Sequence, residues 1–62
     1  MTNDLRTERK NILDRINYLE DWEFDIKMTT HLTEKMWDRL AEIGREMATL
    51  KARLARIDYM LA

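Results

Sequence analysis

His31 is the only histidine in this 62-residue chain, and Glu34 follows it at a spacing of three, with Glu20, Glu23 and Asp25 a short way upstream. An imidazole among carboxylates is the one grouping here that suggests a metal. Its order is the reverse of the Glu-x-x-His by which helical bundles hold paired metals, and a single histidine beside acids is normally solvated, so no metal or cofactor is expected. Nucleophilic catalysis lacks its parts. The chain has neither serine nor cysteine, and its single glycine, Gly44, rules out a glycine-rich phosphate cradle. The expectation is a protein that is not an enzyme.

Two other groups of residues point to binding. Arg6, Arg9, Lys10, Arg15, Lys51, Arg53 and Arg56 form a set of cations that phosphates of a nucleic acid would attract, although Asp4, Glu8, Asp14 and Asp58 are interleaved with them. The net charge is only −1, so no whole-chain field draws the protein to nucleic acid or an anionic membrane. Tyr18, Trp22 and Phe24, among the acids Glu20, Asp21 and Asp25, form an aromatic set suited to anchoring a basic protein partner.

Hydrophobic spacing supplies the elements that position these groups. Leu5, Ile12, Ile16, Leu19 and Ile26 recur at helical spacing, which predicts a first helix over about 3–28, capped by Thr2 or Asn3 with Asp4 in its first turn. Three threonines within 29–33 mark a turn. Thr33 is the best N-cap for the next helix, with Leu32 and Trp37 placed as a hydrophobic staple. Met36, Leu40, Ile43, Met47, Leu50, Leu54, Ile57 and Leu61 then alternate steps of four and three. Such a seam calls for coiled-coil packing along a helix over about 34–61. The fold class is all-α, an antiparallel two-helix hairpin forming one domain over 1–62. Opposing the stripes pairs Ile26 with Leu40, Leu19 with Met47, Ile16 with Leu50, Ile12 with Leu54 and Leu5 with Leu61.

The second helix has a further stripe that the hairpin does not need: Trp37, Ala41, Gly44, Ala48, Ala52, Ala55 and Tyr59. In a second copy running antiparallel about Ala48, Gly44 faces Ala52, Ala41 faces Ala55 and Trp37 faces Tyr59, so small meets small and large meets large. The first helix has Arg9 and Glu23 at seam positions, symmetric about Ile16, where they would oppose one another across the same dyad. Charge agrees with that arrangement. Residues 1–15 and 47–62, the open half, hold seven Lys/Arg against four Asp/Glu, and residues 16–46, the turn half, hold four against eight. Head-to-tail pairing sets opposite signs together. The expected assembly is therefore an antiparallel homodimeric four-helix bundle.

No apolar run approaches the roughly 18 residues of a membrane span and the first residues lack a signal-peptide core, so a cytoplasmic protein with no membrane partner is expected. The expected architecture resembles that of small plasmid-encoded helical-hairpin dimers that bind RNA, a likeness that implies fold alone. Function is expected to be non-enzymatic: a small dimeric adaptor or inhibitor that binds a protein partner. The alternatives are a nucleic-acid-binding regulator using the basic open ends, and a purely structural oligomerisation module.

Overall fold

The computed structural model describes residues 4–62, an all-helical hairpin in which α1 (Leu5–Lys27) packs against α2 (Glu34–Leu61). The expected caps Thr2 and Asn3 lie outside the described residues. Asp4 stands at the N-cap of α1 without a side-chain cap bond, and its carbonyl accepts from the Glu8 N–H at 3.1 Å. At the other end Thr29 donates its hydroxyl to the Asp25 carbonyl and its N–H to that of Ile26, closing off the last turn.

Thr33 begins α2 in extended conformation, and its Oγ1 accepts from the Met36 N–H at 3.2 Å, satisfying one of the free donors of the first turn. Glu34 adds negative charge at the positive end of the helix dipole. The two expected staple residues differ in burial. Leu32 turns into the core beside Met36, whereas Trp37 is 59% exposed.

The core lies along the seam in two clusters. Ile12, Ile16 and Ile57, with Leu5, Leu50 and Leu54 against them, form the one towards the open end; Leu19, Ile26 and Ile43, with Trp22, Leu32, Met36, Leu40, Met47 and Leu50, form the other. Ile43 packs with Leu19 and Ile26, which sets the level of one helix against the other. At the open end Leu5 packs against the Ile12–Ile16–Ile57 cluster, and Leu61 stays 40% exposed.

A hairpin this small covers little of itself. The molecule extends 47 × 18 × 14 Å and has an accessible surface of 4970 Å². A compact monomer of 7.6 kDa exposes about 4300 Å². The surplus is close to the roughly 800 Å² that each partner contributes to a standard interface.

Candidate interaction site

The seam divides the hairpin into two flanks, and α2 gives each a different chemistry. Just before the seam positions stand Lys35, Arg39, Glu42, Glu46, Thr49, Arg53, Arg56 and Met60. Just after them stand Trp37, Ala41, Gly44, Ala48, Lys51, Ala55, Asp58 and Ala62. In an antiparallel helix pair each flank is lined by the same side of both helices. One edge of the hairpin is thus polar on α2, and the other is mostly small.

The polar flank is laced across the two helices. Arg53 makes a two-pronged bond to Glu8 (Nε to Oε2 2.7 Å, Nη2 to Oε1 2.9 Å), and Arg15 does the same to Glu46 (2.7 and 3.1 Å). These forks fix both side chains in one plane, a geometry that guanidinium and carboxylate share. The hydrogen bonds from Arg53 and Arg15 hold the carboxyls of Glu8 and Glu46 below their ordinary 4.5, against a smaller opposing effect of partial desolvation. The same bonds raise both guanidinium groups, so the pairs stay ionised through neutral pH.

Aromatic rings add to these contacts, Trp22 across the two helices and Tyr18 within α1. The Arg39 guanidinium lies 5.1 Å from the Trp22 ring centre and that of Arg15 lies 5.2 Å from Tyr18, both within cation–π range. Tyr18 and Trp22 are one helical turn apart, with ring centres separated by 6.0 Å at a 51° tilt. Trp22 is half-buried against the Leu19–Ile26–Ile43 cluster. Beside it, Ile26, Lys35, Met36 and Arg39 complete a shallow groove of about 240 Å³. That is below the range of about 300–1,000 Å³ typical of small-molecule sites, and of a size for one partner side chain.

The opposite flank is left bare. Ala41, Gly44, Ala48 and Ala55 are exposed, as is Trp37 at the turn end; Ala52 and the 84% exposed Tyr59, expected in the same stripe, stand instead on the outer side of α2, Ala52 beside Thr49, Arg53 and Arg56 of the polar flank. Among the described residues one ion pair crosses between the helices on this side, Arg9 Nε to Asp58 Oδ1 at 2.6 Å. Gly44 has no positive φ, and a Cβ built on it would meet nothing within 4 Å. Neither backbone conformation nor packing within the chain calls for glycine there, although it costs the helix about 1 kcal/mol relative to alanine.

The structure sorts the sequence-derived residues differently from their grouping by type. Ile16 is buried in the hairpin's own core and is not presented to a second copy. Arg9 bonds Asp58, and Glu23 lies 3.5 Å from Lys27 on its own helix. Both seam charges therefore have partners within one chain, and neutralising them needs no dyad. Tyr18 and Trp22 come together, but Phe24 does not join them. It lies on the side of α1 that follows the seam, 62% exposed, with half-buried Leu13 on the same side. Of the basic set, Arg9, Lys10, Arg15 and Arg53 are held by Asp58, Asp14, Glu46 and Glu8. Much of the phosphate-binding capacity expected at the open end is thereby occupied. Among the described residues no three His, Cys, Asp or Glu side chains converge as metal ligands, and no helix is long and apolar enough to cross a membrane.

The asymmetry of the flanks was available in the sequence as the contrast between residues before and after each seam position. Leu13 stands alone between seam positions and makes no stripe of its own, so the sequence offers it, like Trp22, only as a residue that widens the bundle core. The chain matches no protein family, no curated protein and no solved structure.

Proposed function

We propose that this chain is a non-enzymatic interaction module that self-associates through its bare flank into an antiparallel four-helix bundle and uses the Tyr18–Trp22 flank to bind another protein. The observation that carries this reading is the uncovered α2 face of Ala41, Gly44, Ala48 and Ala55, opposite a flank whose Arg15, Glu46, Arg53 and Glu8 are already paired with one another. Small residues allow two helices to approach closely, and such an approach gives Gly44 a purpose that the single chain does not. The surface surplus and the opposite charges of the open and turn halves support a second copy in head-to-tail orientation.

The partner reading rests on what remains outside such a bundle. Tyr18 and the Trp22 groove combine aromatic surface with arginine, residue types enriched where binding energy concentrates. Lys35 and Arg39 at the groove's rim favour a partner that brings an apolar side chain with a carboxylate beside it. Action inside the cytoplasm is part of the same proposal.

Sedimentation equilibrium at micromolar concentration tests the assembly. The expected mass is twice 7.6 kDa, and a monomer at that concentration overturns the reading. For a protein ligand recovered from the native host, Tyr18→Ala is expected to weaken binding about tenfold or more while leaving the dimer intact. Binding that instead falls steeply with salt and survives Tyr18→Ala supports nucleic acid as the ligand.

A further inference from the structure

We infer that Phe24 is an anchor between copies of this chain, packing on Leu13 of a second copy and receiving that copy's Phe24 on its own Leu13. The inference rests on the antiparallel dimer proposed above and identifies which residues of α1 close it.

The placement follows from levels along the two helices. Ile43 packs with Leu19 and Ile26, and Leu40 and Met47 join the same cluster, in keeping with the seam pairing of Leu19 with Met47 and Ile26 with Leu40, which sets the levels. At that register Phe24 is level with residues 41–42 of α2, and Leu13 with residues 52–53. A half-turn about Ala48, perpendicular to the helices, carries the level of residues 52–53 to that of 43–44. Leu13 of the second copy then lies within about 3 Å, along the axis, of the level of Phe24, at 1.5 Å per residue. The same half-turn lays α1 against α1. The midpoint between Leu13 and Phe24 falls level with Met47, next to Ala48. The axis read from the small residues of α2 and the one read from these two apolar residues of α1 therefore coincide.

Charge and exposure agree with that occupant. Leu13 belongs to neither core cluster of the hairpin and is only half-buried, and Phe24 is 62% exposed, so both keep apolar surface that the chain does not cover. Their neighbours after the seam, Lys10, Asn17, Glu20 and Lys27, are polar. Two apolar residues in an otherwise polar row, spaced to meet each other in an antiparallel pair, specify a second copy better than an unrelated surface.

The native chain has no cysteine, so single substitutions give unambiguous cross-links. Leu13→Cys and Phe24→Cys chains, mixed and oxidised, are expected to give a covalent dimer of one chain of each kind; Ala48→Cys is expected to link to itself. Linking of Ala48→Cys without the mixed Leu13→Cys and Phe24→Cys product overturns the anchor while leaving the dimer standing. Failure of both, in a chain that sediments as a monomer, overturns the dimer and the anchor together. Linking of Phe24→Cys to itself overturns the antiparallel arrangement. Phe24→Ala is expected to raise the dimer dissociation constant about a hundredfold, since the contact is made twice and each truncation costs about tenfold. An unchanged constant contradicts the anchor.

Discussion

The two flanks of this hairpin border the same seam and end at the same turn, yet one is closed by bonds within the chain and the other by none over most of its length. Arg53 with Glu8, Arg15 with Glu46 and Arg39 over Trp22 fasten the helices to each other on the polar side. On the other side Ala41, Gly44, Ala48 and Ala55 give the helices nothing to reach across with. On the reading proposed above, the difference separates holding the hairpin together from associating with a second copy. Exposed ion pairs add little free energy but set alignment, whereas small uncharged faces contribute only when something large covers them.

Substitutions that affect one flank and spare the other test this contrast. The largest effect is expected from Ala48→Glu, which sets two carboxylates against each other on the dyad at a cost on the order of several kcal/mol. Association should be lost at micromolar concentration while helicity by circular dichroism is kept, because an exposed position tolerates change to within about 0.5 kcal/mol. Loss of helicity along with mass would show that folding and assembly are one event, and that the hairpin does not stand alone.

Gly44→Ala is expected to pull the two properties apart. Studied in the Ala48→Glu background, which isolates the hairpin, it should raise stability by about 1 kcal/mol, since nothing in the chain opposes the added methyl. In the otherwise native chain it should weaken association, because the methyl enters the closest approach of the two α2 helices. Chemical denaturation and sedimentation measure the two effects. A methyl that strengthens both would mean that Gly44 marks no contact.

A smaller effect is expected from pH on the laced flank. The folded carboxyls of Glu8 and Glu46 titrate below their ordinary 4.5. The unfolded chain thus takes up protons first as pH falls, and the stabilisation is full above 4.5 and lost as pH drops through the lowered folded values. Thermal melts should be flat from neutrality until pH nears 4.5 and decline below it. Glu8→Gln with Glu46→Gln should shrink that decline without changing the mass at pH 7. The smallest effect is that of salt: raising it should weaken the dimer only a few-fold, since opposed halves of +3 and −4 are screened but apolar contact is not.

Much of this was legible in the residues. The alternation of four and three from Met36 to Leu61 gives α2 and its seam, and Thr33 followed by Glu34 gives its start, because capping and period are local properties. What a single face's pattern does not reveal is which charged side chains will find one another across the seam. Arg9 reads as an unmatched charge until Asp58 is placed 2.6 Å away, and Arg15 and Arg53 read as free cations until the register brings up Glu46 and Glu8. The three aromatics of α1 read as one patch by composition. Positions 18 and 22 share a face at one helical turn, whereas 24 lies two residues past 22, on the far side of the seam.

The central claim is that a second copy covers the bare flank with its turn at the opposite end. Spin labels attached at His31→Cys, in the exposed turn of a chain without other cysteines, report this directly by pulsed dipolar spectroscopy. Antiparallel association about Ala48 predicts one distance of about 45 Å between labels, from the levels of the two turns at 1.5 Å per residue. A short distance, with both turns together, or no dipolar coupling from a monomer, would contradict it.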